Sequence, residues 1–359
     1  MYFERGEDLK IGIIGPPLSG KTLLFNTLLG GVSFKKEERT PEGITLHLGT
    51  IKLEDERLCN LAKKVGSKKI TFSEIGIIDL ALYEQNKKNC FDSSFLREAD
   101  GFVVVVRCFE YPGAISFNPL KDAKGIEEEL ILKDLEVIQK RMDRIEQDIK
   151  KGKKEEKELE VLRKLSQHLE DNKALRNVRL EAGEEKQLCG FKFLSQKPIF
   201  FVLNVDERMG LTEIEEIGRS FTQEGYNFIL TSLKIENELN EVEEKERFVF
   251  LETFGFKDLI KERFLSACLS FLNLVSFFTV KGEEAKAWLI EKNTPAIKAA
   301  GRIHSDIEKG FIKAEVINYK DFVEVGFSFS EARAKGLVHL ESKEYIVNDG
   351  DIIDFRFAI

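Results

Sequence analysis

Cysteine is scarce and scattered. Cys59, Cys90, Cys108, Cys189 and Cys268 form no C-x-x-C pair and leave an odd count, which excludes a disulfide scaffold, argues against structural zinc and points to a reducing compartment. Positive charge is not in excess either. A net charge of -8 argues against a protein coated for non-specific nucleic-acid binding, although a local basic face remains compatible with it. The opening residues, Met1-Tyr2-Phe3-Glu4-Arg5-Gly6-Glu7-Asp8, have neither the basic start nor the apolar core of a signal peptide, so a cytoplasmic location is expected. No run is greasy enough for a bilayer: the longest, Ala267 to Val280, is broken by Ser270, Asn273 and Ser276 and reads as a buried helix running into a strand, with no membrane partner. With 42% apolar and 33% charged residues over 359 positions, the chain suits a soluble protein of two or three domains, expected as a monomer.

What is present is concentrated near the start. Ile11 to Ile14 reads as a strand covered on both faces, and Thr22 to Leu29 as an amphipathic helix. Between them Gly15-Pro16-Pro17-Leu18-Ser19-Gly20-Lys21-Thr22 spells G-x-x-x-x-G-K-[ST]. Glycines let the backbone wrap a phosphate, so that successive N–H groups and the following helix N-terminus point at the anion. Gly15, Leu18, Ser19, Gly20, Lys21, Thr22 and Leu23 are therefore expected at a nucleotide. Lys21 would reach the β- and γ-phosphates and Thr22 would be an oxygen ligand of Mg²⁺.

Strand and helix patterns alternate to about Pro119: Leu46 to Leu53, a helix from Glu56 to Val65, Ser73 to Leu80, and the β-branched run Phe102 to Cys108. The class is α/β with a parallel sheet. The pattern then changes. Ile131, Leu135, Ile138, Met142, Ile145 and Ile149 recur at spacings of four and three, and Leu159, Leu162, Leu165 and Leu169 begin a second helix after Lys150-Lys151-Gly152-Lys153-Lys154. An antiparallel helical hairpin is predicted, either a solvated spacer or a docking arm. The α/β pattern resumes with Pro198 to Asn204, a helix near Thr212 to Glu224, and Phe228 to Ser232. A small α+β domain closes the chain, with a hairpin expected between Glu344–Val347 and Asp351–Phe355 around Asn348-Asp349-Gly350. The expected parts are a nucleotide domain over 1–119 and 196–278, the hairpin over 120–195, and the last domain over 279–359.

Two further segments bear on the nucleotide. Asp79, ending a strand, is placed to hold Mg²⁺ through water, or merely to cap the next turn; with Lys21 it forms the candidate catalytic pair. Asn204-Val205-Asp206-Glu207 stands where GTPases carry N-K-x-D. Val205 replaces the Lys, and Glu207 replaces the Asp that accepts two hydrogen bonds from guanine. The longer Glu would misplace that contact, while Asn204 can still meet a purine, which favours ATP over GTP.

Together these residues resemble the YchF-type Obg-like ATPases over nearly the whole chain. The resemblance is carried by the P-loop; Arg107-Cys108-Phe109-Glu110; Glu129 to Glu136; Lys197-Pro198 through Glu207; Ser232 to Leu239; and Ala299 to Glu315. It implies a P-loop NTPase fold with an inserted coiled-coil hairpin and a ubiquitin-like TGS domain at the C-terminus. It also implies ATP with Mg²⁺, Ser232 and Leu233 beside the nucleotide, and work near the ribosome or in stress responses. Lys298, Arg302, Lys309 and Lys313 would then form an RNA-facing patch or serve simple solvation. His304 is expected to be a structural hydrogen-bonding residue, and Trp288 a core residue.

The departures point the other way on turnover. Relatives carry D-x-A-G, but this chain reads Asp79-Leu80-Ala81-Leu82, so Leu82 removes a glycine whose N–H meets the γ-phosphate. The glycine-rich stretch that follows is replaced by Tyr83 to Cys90, and Gln85 there is poorly spaced to position a water. In the first switch the Mg²⁺-binding Thr falls on Gly43, with Thr40 or Thr45 as substitutes. Binding should outlast hydrolysis: a slow ATPase switch, with a non-hydrolysing interaction module and a GTP-binding protein as the alternatives.

Overall fold

The computed structural model describes residues 9–30, 36–39, 45–81, 94–113, 116–152, 155–243, 246–247 and 258–358. The chain begins β1 (Leu9–Ile14), α1 (Lys21–Leu28), β2 (Lys36–Arg39), β3 (Thr45–Leu53), α2 (Glu56–Val65), β4 (Lys69–Thr71), β5 (Ser73–Ala81), α3 (Ser94–Glu98) and β6 (Gly101–Cys108). It continues through α4 (Pro119–Lys150), α5 (Glu156–Glu170), α6 (Ala182–Leu188), β7 (Ile199–Val205), α7 (Leu211–Gln223), β8 (Phe228–Thr231), α8 (Leu233–Leu239) and α9 (Ile260–Phe271). The last elements are β9 (Leu274–Lys281), β10 (Glu284–Glu291), α10 (Ala296–Ile303), α11 (Ser305–Lys309), β11 (Phe311–Asn318), α12 (Tyr319–Glu324), α13 (Phe329–Ala334), β12 (His339–Glu341) and β13 (Asp351–Phe357). Two compact units result, one from 10–49 with 77–264 and one from 1–9 and 50–76 with 265–359.

The first unit is built on a seven-stranded sheet in the order β2-β3-β5-β1-β6-β7-β8. Strands β1, β6, β7 and β8 pair in parallel, and β2 joins β3 antiparallel. Every residue of β6 is buried, which is why Phe102 to Val106 form a continuous apolar run rather than an alternating one. Phe102, Val104 and Val106 pack with Phe201, Leu203, Ala123 and Phe221 in the main core.

Between β6 and β7 the chain leaves the sheet as a helical hairpin with a core of its own. Ile131, Ile138 and Ile145, flanked by Leu135, Met142 and Ile149, pack with Leu159, Leu162, Leu165 and Leu169, as the heptad spacing requires. Arg141 forks onto Glu158, Nε to Oε1 at 2.7 Å and Nη2 to Oε2 at 2.8 Å. At the root, the fully buried carboxylate of Asp134 accepts the backbone N–H of Leu194 at 2.9 Å and of Ser195 at 2.7 Å. Burial pushes that carboxyl above its ordinary range, and the two N–H donors pull back against it. Asp134→Ala strands both donors, so a loss of about 2–4 kcal/mol is expected. Urea denaturation checks the loss, and hydrogen exchange at Leu194 and Ser195 checks its location.

The second unit carries a six-stranded sheet in the order β12-β11-β13-β9-β10-β4. Its edge strand β4 pairs in parallel with β10. Leu58, Leu61 and Ala62, three and four apart on α2, bury with Phe278, Ala287, Ile317 and Phe322. The stretch 50–76 thus packs with this unit, although sequence order sets it among the nucleotide-domain elements. Alternation in β9 sends Phe277 to the opposite face, under Ala296, Ala299 and Ala300 of α10.

The expected closing hairpin is corrected. Residues 344–347 form no strand, and Ile346 makes only an isolated bridge to Pro295. Strand β13 already has β11 and β9 as neighbours, so neither edge is open. The polar side chains tie a loop instead: Asp351 Oδ2 accepts from Asn348 N at 2.9 Å and Tyr345 OH at 2.8 Å, and Asp349 Oδ1 from Ser276 N at 3.0 Å. The greasy run becomes the end of α9 followed by β9, and among the described residues no helix is long and apolar enough to cross a membrane.

Candidate functional site

The loop after β1 has room for no side chain at two points. At Gly15, with φ of 146°, a Cβ would stand 2.2 Å from the carbonyl oxygen of Val105 on β6; at Gly20, with φ of 101°, it would stand 2.6 Å from Asn204 Nδ2. Leu18 also has positive φ, at 61°, and turns its side chain outward, 45% exposed. Gly20 supplies no side-chain cap to α1, so the first N–H groups of the helix stay available to an anion. Lys21 is buried, its ammonium donating to the carbonyls of Gly15 at 3.1 Å and Pro16 at 2.7 Å.

Thr22 Oγ1 donates to Asp79 Oδ2 at 2.8 Å. Asp79, on β5, is fully buried, and its other oxygen, Oδ1, has no hydrogen-bond partner among the described residues. A hydroxyl oxygen with its proton engaged keeps its lone pairs for a cation, and an unpaired buried carboxylate oxygen lacks compensation until a donor or cation meets it. Oxygen donors of this kind suit Mg²⁺. Thr22 and Asp79 are the residues that could hold it. His47 of β3 also reaches Asp79 Oδ2, at 3.1 Å. The sequence reading missed His47; its one signal is a polar residue between Leu46 and Leu48 in an apolar strand.

At the far side of the loop Asn204, from the end of β7, ties three segments together. Its Nδ2 donates to the Ser19 carbonyl at 3.0 Å and its Oδ1 accepts from Leu233 N at 3.1 Å. One amide N–H and one lone pair remain for a ligand. The Ser232–Leu233 turn is braced from behind. There buried Glu236 accepts from Thr231 Oγ1 at 3.0 Å, from Arg263 at 2.5 Å and from Ile260 N at 3.0 Å. Val205 sends its side chain into the sheet core, which leaves its backbone for any ligand contact. Glu207 is gripped by Lys234, Oε1 to Nζ at 2.6 Å, and this hydrogen bond holds its carboxyl below the ordinary range. Leu82, Gly43, Thr40 and the stretch Tyr83 to Cys90 with Gln85 lie outside the described residues.

The structure thus brings Gly15, Ser19, Gly20, Lys21, Thr22, Asp79, Asn204 and Leu233 into one contact network. Compared with known proteins, the chain is 34% identical to the ribosome-binding ATPase YchF of Bacillus subtilis, across 98% of this chain and 100% of that one. The chain belongs to the YchF family. The corresponding Haemophilus influenzae YchF is 34% identical over 98% of this chain and 99% of its own. The family model YchF-GTPase_C, described as a protein of unknown function (DUF933), matches residues 274–358. The YchF GTPase structure from Schizosaccharomyces pombe superposes with a TM-score of 0.80 at 24% identity, covering 99% of this chain and 100% of that one; it shares the fold.

In this YchF member three expectations about the second unit acquire geometry. His304 Nδ1 accepts from Asp306 N at 3.2 Å, capping α11. Lys298 is paired with Glu308 at 2.8 Å, which takes one cation of the basic set out of a purely positive patch. Trp288 donates to Thr279 Oγ1 at 3.0 Å and lies beneath Lys286, whose Nζ is 3.9 Å from the ring centre.

Proposed function

We propose that the chain is a nucleotide-dependent switch that binds ATP with Mg²⁺ in the loop from Gly15 to Leu23 and hydrolyses it slowly. The observation that carries this reading is the network around Gly20. A loop with no room for a side chain at Gly15 and Gly20, an uncapped helix start, a buried Lys21 and the Thr22–Asp79 contact are joined by Asn204 to the Ser232–Leu233 turn. In this reading Lys21 meets the β- and γ-phosphates, Thr22 and Asp79 hold Mg²⁺, and Asn204, Val205, Glu207, Ser232 and Leu233 surround the base. Mg²⁺ would supply charge neutralisation at the phosphates.

Adenine is preferred here because the guanine-reading Asp is a Glu whose carboxylate is engaged by Lys234. ATP should bind at least roughly tenfold more tightly than GTP, about 1.4 kcal/mol. Calorimetry with ATP, ADP, GTP and GDP tests this, and equal affinities would overturn it. The double change V205K with E207D should move the preference toward GTP.

Relatives named as ribosome-binding ATPases support a ribosomal partner in the cytoplasm, met through the hairpin over 120–195 and a TGS-type domain over 279–359. A second reading, a module that binds nucleotide without hydrolysing it, is favoured by one residue: Leu82 in place of the switch glycine. Phosphate release from MgATP separates the two.

A further inference from the structure

His47 is a polar side chain at the nucleotide site to which the switch reading gives no task. It is 8% exposed, and its ring centre lies 6.0 Å from that of Phe25 on α1. Its Nδ1 stands 3.1 Å from Asp79 Oδ2, the same oxygen that accepts from Thr22 Oγ1 at 2.8 Å. A carboxylate only accepts, so Nδ1 carries the hydrogen. Two donors therefore converge on Oδ2, and among the described residues no donor meets Oδ1, which is buried.

That asymmetry has a mechanical meaning. The terminal torsion of an aspartate is broad and nearly two-fold, so Thr22 alone would leave the carboxylate free to swing. A second donor from a different strand fixes the plane, because rotation now breaks two hydrogen bonds at once. We infer that His47 is a positioning residue for the divalent cation: by donating to Oδ2 it reserves Asp79 Oδ1 for the cation or its water. Thr22 can then offer its lone pairs while its proton stays on Asp79. The inference rests on the nucleotide reading above and adds to it a residue that tunes the cation. Partners that orient a ligating carboxylate in this way are worth about 10–100-fold in metal affinity.

The test compares ADP affinity in excess Mg²⁺ with ADP affinity in EDTA, by calorimetry, for wild type, H47L and H47N. The ratio of the two affinities measures the coupling between cation and nucleotide. H47L keeps an apolar body against Phe25 without a donor, and the ratio should fall at least about tenfold while the affinity in EDTA stays near wild type. H47N places an amide N–H close to the Nδ1 position and should restore the ratio. A ratio unchanged in H47L, or equal losses with and without Mg²⁺, overturns the role of His47 and leaves the nucleotide reading standing. Failure of wild type to bind ADP in either buffer overturns the nucleotide reading itself, and His47's role with it. The wild-type protein gives an independent readout if H47L does not fold. In ¹⁵N-histidine spectra the Nδ1 signal missing from H47N should shift when Mg²⁺ joins the ADP complex, and an unmoved signal counts against the inference.

Discussion

Lys21→Ala should abolish measurable nucleotide binding while the protein stays folded. Lys21 opens α1 with its ammonium inside the turn, in contact with the carbonyls of Gly15 and Pro16. From there it supplies the single positive side chain of the phosphate-binding motif. Charge-assisted contacts to two phosphates, each worth about 1.5–3 kcal/mol, correspond to a loss of at least about a hundredfold. The fold should survive because the sheet core lies in β1, β6 and β7, away from this side chain. Calorimetry with ATP measures the loss, and circular dichroism confirms that the variant is folded. Unchanged affinity in a folded variant would remove the P-loop assignment.

The second large effect concerns turnover. Wild type should release phosphate slowly or not at all, and L82G should raise the rate, on the order of a hundredfold if the missing γ-phosphate donor is the main lesion. A backbone N–H can stand against a phosphate only where no side chain blocks the approach, which is what glycine permits and leucine denies. Single-turnover phosphate release at saturating MgATP is the measurement. Wild-type turnover equal to that of relatives with an intact D-x-A-G would show Leu82 to be harmless. No gain in L82G would move the lesion to Gly43 or to the stretch Tyr83–Cys90.

The parts of the fold that could be read from the sequence are those whose burial is local. Strands β1, β6 and β7 are covered on both faces and appear as mainly apolar runs of four or five residues without alternation, and the hairpin shows its heptads because its core is formed by two neighbouring helices. The P-loop is legible because its chemistry is contiguous. Helices α12 and α13 are marked by their caps: Asn318 Oδ1 accepts from Lys320 N at 3.2 Å and Ser328 Oγ from Glu331 N at 3.3 Å, the latter in an S-x-x-E pattern. Other features depend on encounters between distant segments. Strand β4 is three residues long and finds β10 only in three dimensions. Residues 344–347 carry a strand-like composition but meet no open edge. The His47–Asp79 contact joins two strands whose side-chain patterns separately predict only burial. Asn204 was legible as a candidate for the base site, but its link between Ser19 and Leu233 was not, since a motif states which residues recur and not what their amides hold.

The hairpin leaves the sheet after β6 and returns to it at β7, and these two strands are hydrogen-bonded neighbours from Phe102 with Ile199 to Cys108 with Val205. Because the pairing is parallel, the chain leaves at the C-terminal end of β6, beside Val205, and returns at the N-terminal end of β7, beside Phe102. The crossover runs the length of the strands, and the Asp134 clasp on Leu194 and Ser195 closes the arm at its ankle. Because loop-closure cost depends on where the ends meet and only weakly on how much chain lies between, whole turns can be added to or removed from both helices without disturbing the footing. Each residue changes the extension by 1.5 Å of helix. The arm is thus of adjustable length on a fixed mount, and its reach can change while the sheet it springs from stays the same.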